Sequence, residues 1–128
     1  MKLILYSNET NEAGKKLQKV IETSFPVKYR ELYQTIESLA TRFRQPGAYD
    51  AVVVLLASTG KELSDIFSIR NLLSDLRIIL ILPDRKNETV RKGRSLYPRY
   101  VSYADDDFRD ISAVLHKMFS LDFSGIKG

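Results

Sequence analysis

Short polar segments follow apolar stretches at four places in the chain, and they hold the side chains best suited to binding chemistry. These segments are Ser7-Asn8-Glu9, Ser58-Thr59-Gly60-Lys61, Pro83-Asp84 and Tyr103-Ala104-Asp105. Backbone N–H groups at a helix start, together with the charge of Lys61, could hold a phosphate or a carboxylate at the second segment. The alternative interpretation of residues 58–61 is an ordinary helix N-cap with an exposed lysine.

Composition and missing motifs exclude most other chemistry. The chain has 128 residues, no cysteine and a single histidine, His116, which excludes disulfides, thiolate metal sites, thiol catalysis and paired-histidine metal sites. The glycines form no Gly-x-Gly, and Gly60-Lys61 belongs to no P-loop, because Leu55 and Glu62 stand where that motif needs Gly and a hydroxyl residue. We expect His116 to face solvent on the last helix. No apolar run approaches the roughly 20 residues of a membrane span, so no membrane association is expected.

Strand-like and helix-like patterns alternate along the chain. Apolar or alternating stretches at residues 2–7, 27–32, 51–57, 78–82 and 99–103 predict five strands. Apolar residues at spacings of three and four predict helices over 11–25, around 36–43, from Thr59 to about Leu76, over 87–97 and from Asp107 onward. Thr59 and Glu62 form a predicted capping box, in which each side chain bonds the other residue's backbone N–H.

This alternation predicts a three-layer α/β sandwich, a parallel sheet with helices on both faces. The first, third and fourth strands are apolar throughout, which places them in the middle, and the mixed second and fifth strands are expected at the edges. The predicted order is 2-1-3-4-5, as in flavodoxin-like folds. One domain is expected over residues 1–120, followed by a C-terminal tail at 121–128. Ligands of such sheets bind beyond the carboxyl ends of the strands, so all four polar segments should lie along one edge.

The sequence resembles the receiver (CheY-like) domain of bacterial response regulators over residues 2–119. The resemblance is carried by residues 2–9 (Lys-Leu-Ile-Leu-Tyr-Ser-Asn-Glu), 49–54 (Tyr-Asp-Ala-Val-Val-Val) and 100–104 (Tyr-Val-Ser-Tyr-Ala). For a phosphorylated member of the family it implies Mg²⁺ held by two acidic residues after the first strand and an aspartate nucleophile after the third. It also implies a Ser or Thr after the fourth strand and a Lys after the fifth.

Every one of these positions is changed in this sequence. The acidic pair becomes Ser7-Asn8 with only Glu9 left, the acceptor position falls on Leu55 or Ala57, the hydroxyl position on Leu82 or Pro83, and the lysine position on Tyr103. The resemblance therefore implies a pseudo-receiver: a cytoplasmic, non-catalytic module of two-component signalling that is not phosphorylated on aspartate. Such a module would need no cofactor and would act through protein–protein contacts. The alternative is a small flavodoxin-like domain that binds a ligand or phosphate at Ser7-Asn8 and at residues 58–61.

The whole chain has a formal net charge of +4. In its second half, basic and acidic residues form separate clusters. The basic residues are Arg85, Lys86, Arg91, Lys92, Arg94 and Arg99, and the acidic ones are Asp105, Asp106, Asp107 and Asp110. Receiver domains often dimerise through the fourth helix, fifth strand and fifth helix. A two-fold pairing there would set Arg91, Lys92 and Arg94 against Asp106, Asp107 and Asp110, with Tyr97, Tyr100 and Tyr103 as aromatic anchors. The alternatives are a solvated face or an anion contact; nucleic acid is not an expected partner, since no helix-turn-helix or aromatic RNA-binding motif is present.

Overall fold

Five parallel strands form a single sheet in the order β2-β1-β3-β4-β5. The structure is a computed structural model that describes residues 2–8, 11–47 and 50–127, with side chains as far as Phe119. The strands are β1 (Lys2–Tyr6), β2 (Arg30–Tyr33), β3 (Ala51–Leu56), β4 (Arg77–Leu82) and β5 (Tyr100–Tyr103). The flavodoxin-like, CheY-like fold class predicted from the sequence is confirmed, including the strand order.

Helices cover both faces of the sheet. They are α1 (Glu12–Ser24), α2 (Ile36–Phe43), α3 (Gly60–Ser68), the short α4 (Arg70–Leu73), α5 (Asn87–Arg94) and α6 (Arg109–Lys127). Leu17 of α1 and Ile111 of α6 pack on one face of the sheet. Leu39 of α2 and Ile66 of α3 pack on the other, together with α4 and the end of α5. The sheet is therefore the middle of three layers, as the alternation of strands and helices requires.

The strand β3 explains why the sheet has this order. All six of its residues, Ala51–Leu56, are completely buried. Successive side chains of a strand point to opposite faces, so Val53 joins the α2–α3 layer while Val54 joins the α1–α6 layer. A strand that is apolar on both faces is stable only in the middle of a doubly covered sheet.

Several element boundaries differ from the sequence prediction. The second strand begins only at Arg30, because Val27–Tyr29 forms a 3-10 turn. The helix predicted from Thr59 to Leu76 is interrupted at Ile69, whose backbone leaves helical geometry with φ −106° and ψ 21°. The helix predicted to reach Tyr97 ends at Arg94, and Tyr97 itself takes a left-handed φ of 54°. The last helix runs on to Lys127, through most of the segment predicted as a tail.

Two local expectations for helix residues can be compared directly with the structure. His116 is exposed, as predicted, and its ring stacks on Phe25 with centroids 5.4 Å apart. The Thr59 hydroxyl accepts the backbone N–H of Glu62 at 3.1 Å, but the Glu62 carboxylate accepts the backbone N–H of Ser58 rather than that of Thr59. Within the described residues, no helix combines the length and the apolar composition needed to cross a membrane.

Candidate functional site

The carboxyl ends of the strands bring the polar segments together along one edge of the sheet. β1 is followed by Ser7 and Asn8, β3 by Ala57 and Ser58, and β4 by Pro83, whereas Tyr103 is the last residue of β5. Glu9 lies outside the described residues. β3 ends at Leu56 and β4 at Leu82, so Ala57 and Pro83 directly follow these strands, whereas Leu55 and Leu82 lie within them.

The residues at these strand ends are buried and continue the sheet. Ser7 and Ala57 are completely buried. The N–H of Ser7 donates to the carbonyl of Tyr33 at 3.1 Å, and the N–H of Ala57 donates to that of Ile81 at 2.9 Å. Ala57, one of the two positions to which the receiver resemblance assigns the acceptor aspartate, has a methyl group packed among the apolar side chains of the α2–α3 layer.

The carboxylate of Glu62 is held at the start of α3. It accepts the backbone N–H of Ser58 at 3.2 Å and lies 3.4 Å from the Thr59 hydroxyl. Lys61 is exposed. A phosphate at this helix start would lie beside the negative charge of Glu62, which opposes its binding. The geometry of residues 58–61, including Gly60 as the first residue of the helix, therefore fits the N-cap interpretation better than an anion site.

Asp84 and Asp105 are also engaged by neighbouring groups. The Thr89 hydroxyl and the Lys86 N–H, which donates at 2.9 Å, hold the pKa of Asp84 below its ordinary value. Arg85 donates to both oxygens of Asp105, at 2.8 and 3.0 Å, and thereby lowers the pKa of that carboxyl. Both carboxylates are ionised and already matched by local donors.

Arg85 links the ends of β4 and β5. Besides pairing with Asp105, its guanidinium lies 4.2 Å from the centroid of the Tyr103 ring. The N–H of Ala104 donates to the carbonyl of Leu82 at 2.8 Å and ties the same two strand ends through the backbone. Tyr103, at the position of the receiver lysine, therefore serves as a stacking platform for a cation that follows β4. The sequence analysis did not find this contact, which joins residues far apart in the chain.

The side chains along this edge do not fit the Mg²⁺ that the receiver resemblance would imply. Magnesium is held by carboxylates that leave oxygens free to face the ion. Glu62, Asp84 and Asp105 each face a protein donor instead. In the described part of the chain, no three His, Asp or Glu side chains are grouped so that they could hold a metal ion.

Two hydroxyl groups at this edge lack a hydrogen-bond partner among the residues that the structure describes. They belong to Ser7 and Ser58, which follow the adjacent strands β1 and β3, and both oxygens are buried. The first turn of α1 lies directly over Ser7: a Cβ built at Gly14 would be 2.1 Å from the Asn8 carbonyl oxygen and 3.0 Å from the Ser7 hydroxyl. Gly14 is thus a site residue that the sequence analysis missed, because a glycine in a helix carries no signal of what packs against it.

The basic half of the predicted dimer face is divided between two surfaces. Arg91 and Arg94 are exposed on α5. Lys92 instead reaches α3, where its ammonium donates to the Ser64 hydroxyl at 3.0 Å and lies 5.2 Å from the Phe67 ring centroid. The structure does not bring Lys92 to the face that carries β5.

The acidic half is occupied by local contacts. Asp106 accepts the N–H of Asp107 at 3.0 Å, and Asp107 accepts that of Arg109 at 3.0 Å. Asp110 accepts the Tyr100 hydroxyl at 2.8 Å, and this hydrogen bond raises the pKa of Tyr100. Asp107 therefore accepts the first backbone N–H of α6 and caps the start of this helix.

No protein-family model matches this chain, and neither the curated proteins nor the solved structures include a match.

Proposed function

We propose that this chain is a receiver-like domain that acts through protein–protein contacts and does not carry phosphate on an aspartate. One observation supports this most directly: at the carboxyl edge the position after β3 is the buried Ala57, and the described carboxylates there are bonded to protein donors. A signalling role in the cytoplasm, which the receiver resemblance implies, belongs to the same proposal.

Phosphoryl transfer to a receiver needs a nucleophile and charge to stabilise the phosphoryl oxygens. Ala57 offers no nucleophile. Ser58 offers an alcohol, but an alcohol reacts slowly unless a base or a metal activates it. Glu62, its nearest described carboxylate partner, accepts the backbone N–H of Ser58. The domain therefore acts as a scaffold, and its function depends on contacts that its surface makes with other proteins.

The face formed by α5, β5 and the start of α6 remains one candidate for such contacts. Tyr97 is 86% exposed there, Tyr100 and Tyr103 are half-buried, and Arg91 and Arg94 are free to meet acidic groups of another molecule. A homodimer through this face is part of the proposal. Light scattering at several salt concentrations tests it, because a dimer held by Arg91 and Arg94 should weaken as salt screens the charges.

Incubation with acetyl phosphate and Mg²⁺ tests the absence of aspartyl phosphorylation. We expect intact-mass measurement to show no added phosphoryl group, while a phosphorylatable receiver domain in a parallel reaction is modified. A stoichiometric, hydroxylamine-labile phosphoryl group would contradict the proposal. An Asp84→Asn variant would then show whether the described carboxylate after β4 had accepted it.

A second candidate function is ligand binding at the same edge. It is favoured by the two buried hydroxyls of Ser7 and Ser58 that lack partners, since a buried polar group without a hydrogen bond commonly marks a place for a ligand or water. Titration with inorganic phosphate, followed by NMR of the Ser7 and Ser58 amides, tests this candidate. Saturable chemical-shift changes that disappear in Ser58→Ala would support ligand binding. Spectra that phosphate leaves unchanged, together with a purified protein that has no flavin absorbance, would contradict it.

A further inference from the structure

The strand β2 forms an open edge of the sheet with an apolar surface. It pairs only with β1. Three of the large apolar side chains that are exposed in the described part of the chain lie on or just before it: Val27 is 75% exposed, Tyr29 44% and Leu32 43%. Exposed apolar side chains gathered along an unpaired strand are typical of a surface that another chain covers.

The backbone of β2 has hydrogen-bonding groups directed outward. The carbonyl of Tyr33 accepts the N–H of Ser7 from the β1 side at 3.1 Å. In a parallel pair, successive residues direct their N–H and C=O groups alternately toward and away from the neighbouring strand. The N–H and C=O of Leu32 therefore point away from β1, where an added strand would meet them.

A small cleft beside this edge presents two unsatisfied donors. The cleft lies between α1 and β2 and has a volume of about 40 Å³. Gln18 and Arg30 line it, and Nε2 of Gln18 and Nε of Arg30 are buried without a hydrogen-bond partner in the described part of the chain. A volume of this size admits a carboxylate group or one or two water molecules. Donors without acceptors, one of them cationic, select an anion.

The Nε–H of Arg30 is not matched by an acceptor among the described residues. The adjacent Glu31 also lines the cleft, but its carboxylate bonds Arg42 at 2.7 Å and the Tyr33 hydroxyl at 2.8 Å. Glu22 lines the cleft as well, and it accepts no hydrogen bond from Nε of Arg30 or Nε2 of Gln18. The two donors of the cleft are therefore left without an acceptor in the described part of the chain.

We propose that the β2 edge binds an extended segment of a partner protein as an added strand, with one Asp or Glu side chain of that segment seated between Gln18 and Arg30. Apolar side chains of the segment cover Tyr29 and Leu32. This proposal rests on one part of the proposed function, namely that the domain acts through contacts with other proteins.

A second copy of this chain that pairs through its own β2 strand does not supply the acid. The one carboxylate in its β2 strand is Glu31, which faces the α2 layer and is held there by Arg42. Pairing two β2 edges would also bring two Arg30 side chains toward each other. Charge complementarity therefore selects a different, acidic partner.

The experiment uses capped heptapeptides of alternating valine and threonine, with one glutamate moved through successive positions, and the same peptides with glutamine. Binding is followed by ¹⁵N NMR of the Leu32 amide, the Arg30 Nε–H and the Gln18 side-chain amide. We expect at least one glutamate peptide to bind about tenfold more tightly than its glutamine counterpart, as a charge-assisted hydrogen bond implies. All three signals should shift in that titration.

Matched variants assign the effect to the cleft. Arg30→Gln should remove the preference for glutamate, Glu22→Gln should tighten binding of the glutamate peptide, and Asn71→Ser, at an exposed position of α4, should change nothing. Equal affinity for the two peptides, or shifts absent from the three reporter groups up to millimolar peptide, overturns the proposal. Self-association that Leu32→Lys abolishes also overturns it, since the occupant is then a second copy. Acyl-phosphate formation would refute the proposed function without altering any of these readouts.

Discussion

Gly14 is the third residue of α1, and the helix backbone there passes very close to the loop that follows β1. A Cβ at this position would lie 2.1 Å from the carbonyl oxygen of Asn8 and 3.0 Å from the hydroxyl of Ser7. Carbon and carbonyl oxygen atoms normally stay about 3.3 Å apart. In Gly14→Ala, either the helix start or the loop must therefore move by about 1 Å.

The expected loss of stability follows from two opposing effects. Overpacking a well-filled site costs roughly 1–3 kcal/mol, and the upper end applies because the obstacle is a backbone carbonyl that cannot rotate away as a side chain can. Alanine in a helix is favoured over glycine by about 1 kcal/mol. The free energy of unfolding of Gly14→Ala should therefore fall by about 2 kcal/mol. With a urea dependence of about 2 kcal/mol/M, the unfolding midpoint should fall by about 1 M.

Gly60→Ala is the matched control for this measurement. Gly60 also lies in the first turn of a helix, α3, but a Cβ there meets no atom within 4 Å. Its unfolding midpoint should stay unchanged or rise, because only the helix-propensity gain of at most about 1 kcal/mol remains. The close approach of α1 to Asn8 is refuted if Gly14→Ala unfolds at the wild-type midpoint or above it with an unchanged urea dependence.

Three further outcomes are expected from the described contacts. Gly93→Ala places a Cβ 2.8 Å from a terminal methyl of Leu82; because a side-chain tip can shift, the free energy of unfolding should fall by about 1 kcal/mol, less than in Gly14→Ala. Burial tends to raise the pKa of Glu31, but hydrogen bonds from Arg42 and Tyr33 outweigh it and lower the pKa overall. The stabilisation from Glu31 is then present above its ordinary pKa and lost as pH falls through the lowered value, so Glu31→Gln should cost about 1–2 kcal/mol in urea unfolding at neutral pH and less at pH values below that lowered pKa. Arg85→Ala should leave the urea midpoint almost unchanged, since Arg85 and Asp105 are both exposed; a clear fall would show that stacking on Tyr103 holds the two strand ends together.

The polarity of the strands was sufficient to predict their order in the sheet, because a strand that is buried on both faces must be apolar at every residue. Ala51–Leu56 has no polar residue, so it can lie only between other strands, and the mixed β2 and β5 go to the edges. The same pattern predicts which loops meet at the carboxyl edge. Both the fold and the location of the candidate site can thus be predicted from the pattern of apolar residues alone.

Contacts within the site depend on geometry that periodicity does not contain. Lys92 is one residue from Arg91 in sequence, but a step of one residue turns a helix by about 100°, and Lys92 meets α3 instead of β5. The stacking of Arg85 on Tyr103 depends on how two loops sit side by side. The break at Ile69 likewise leaves the apolar spacing almost unchanged, since a short helix resumes at Arg70.

Among the described residues, the buried polar groups without a partner at the carboxyl edge are the hydroxyls of Ser7 and Ser58, and those at the β2 edge are two side-chain nitrogens. The nitrogens can only donate, so the effect of removing one distinguishes a structural role from a functional one. At the β2 edge the unpaired groups are donors, and a buried donor without a partner costs the free domain about 1–3 kcal/mol. If the donors exist for a ligand, removing one should stabilise the isolated domain and weaken binding. Gln18→Met, which keeps the size of the side chain, should raise the urea midpoint by an amount equivalent to about 1 kcal/mol and lower the affinity for the glutamate peptide severalfold. Stability and affinity that fall together would instead show that Gln18 supports the packing of α1 on β2 and has no direct part in recognition.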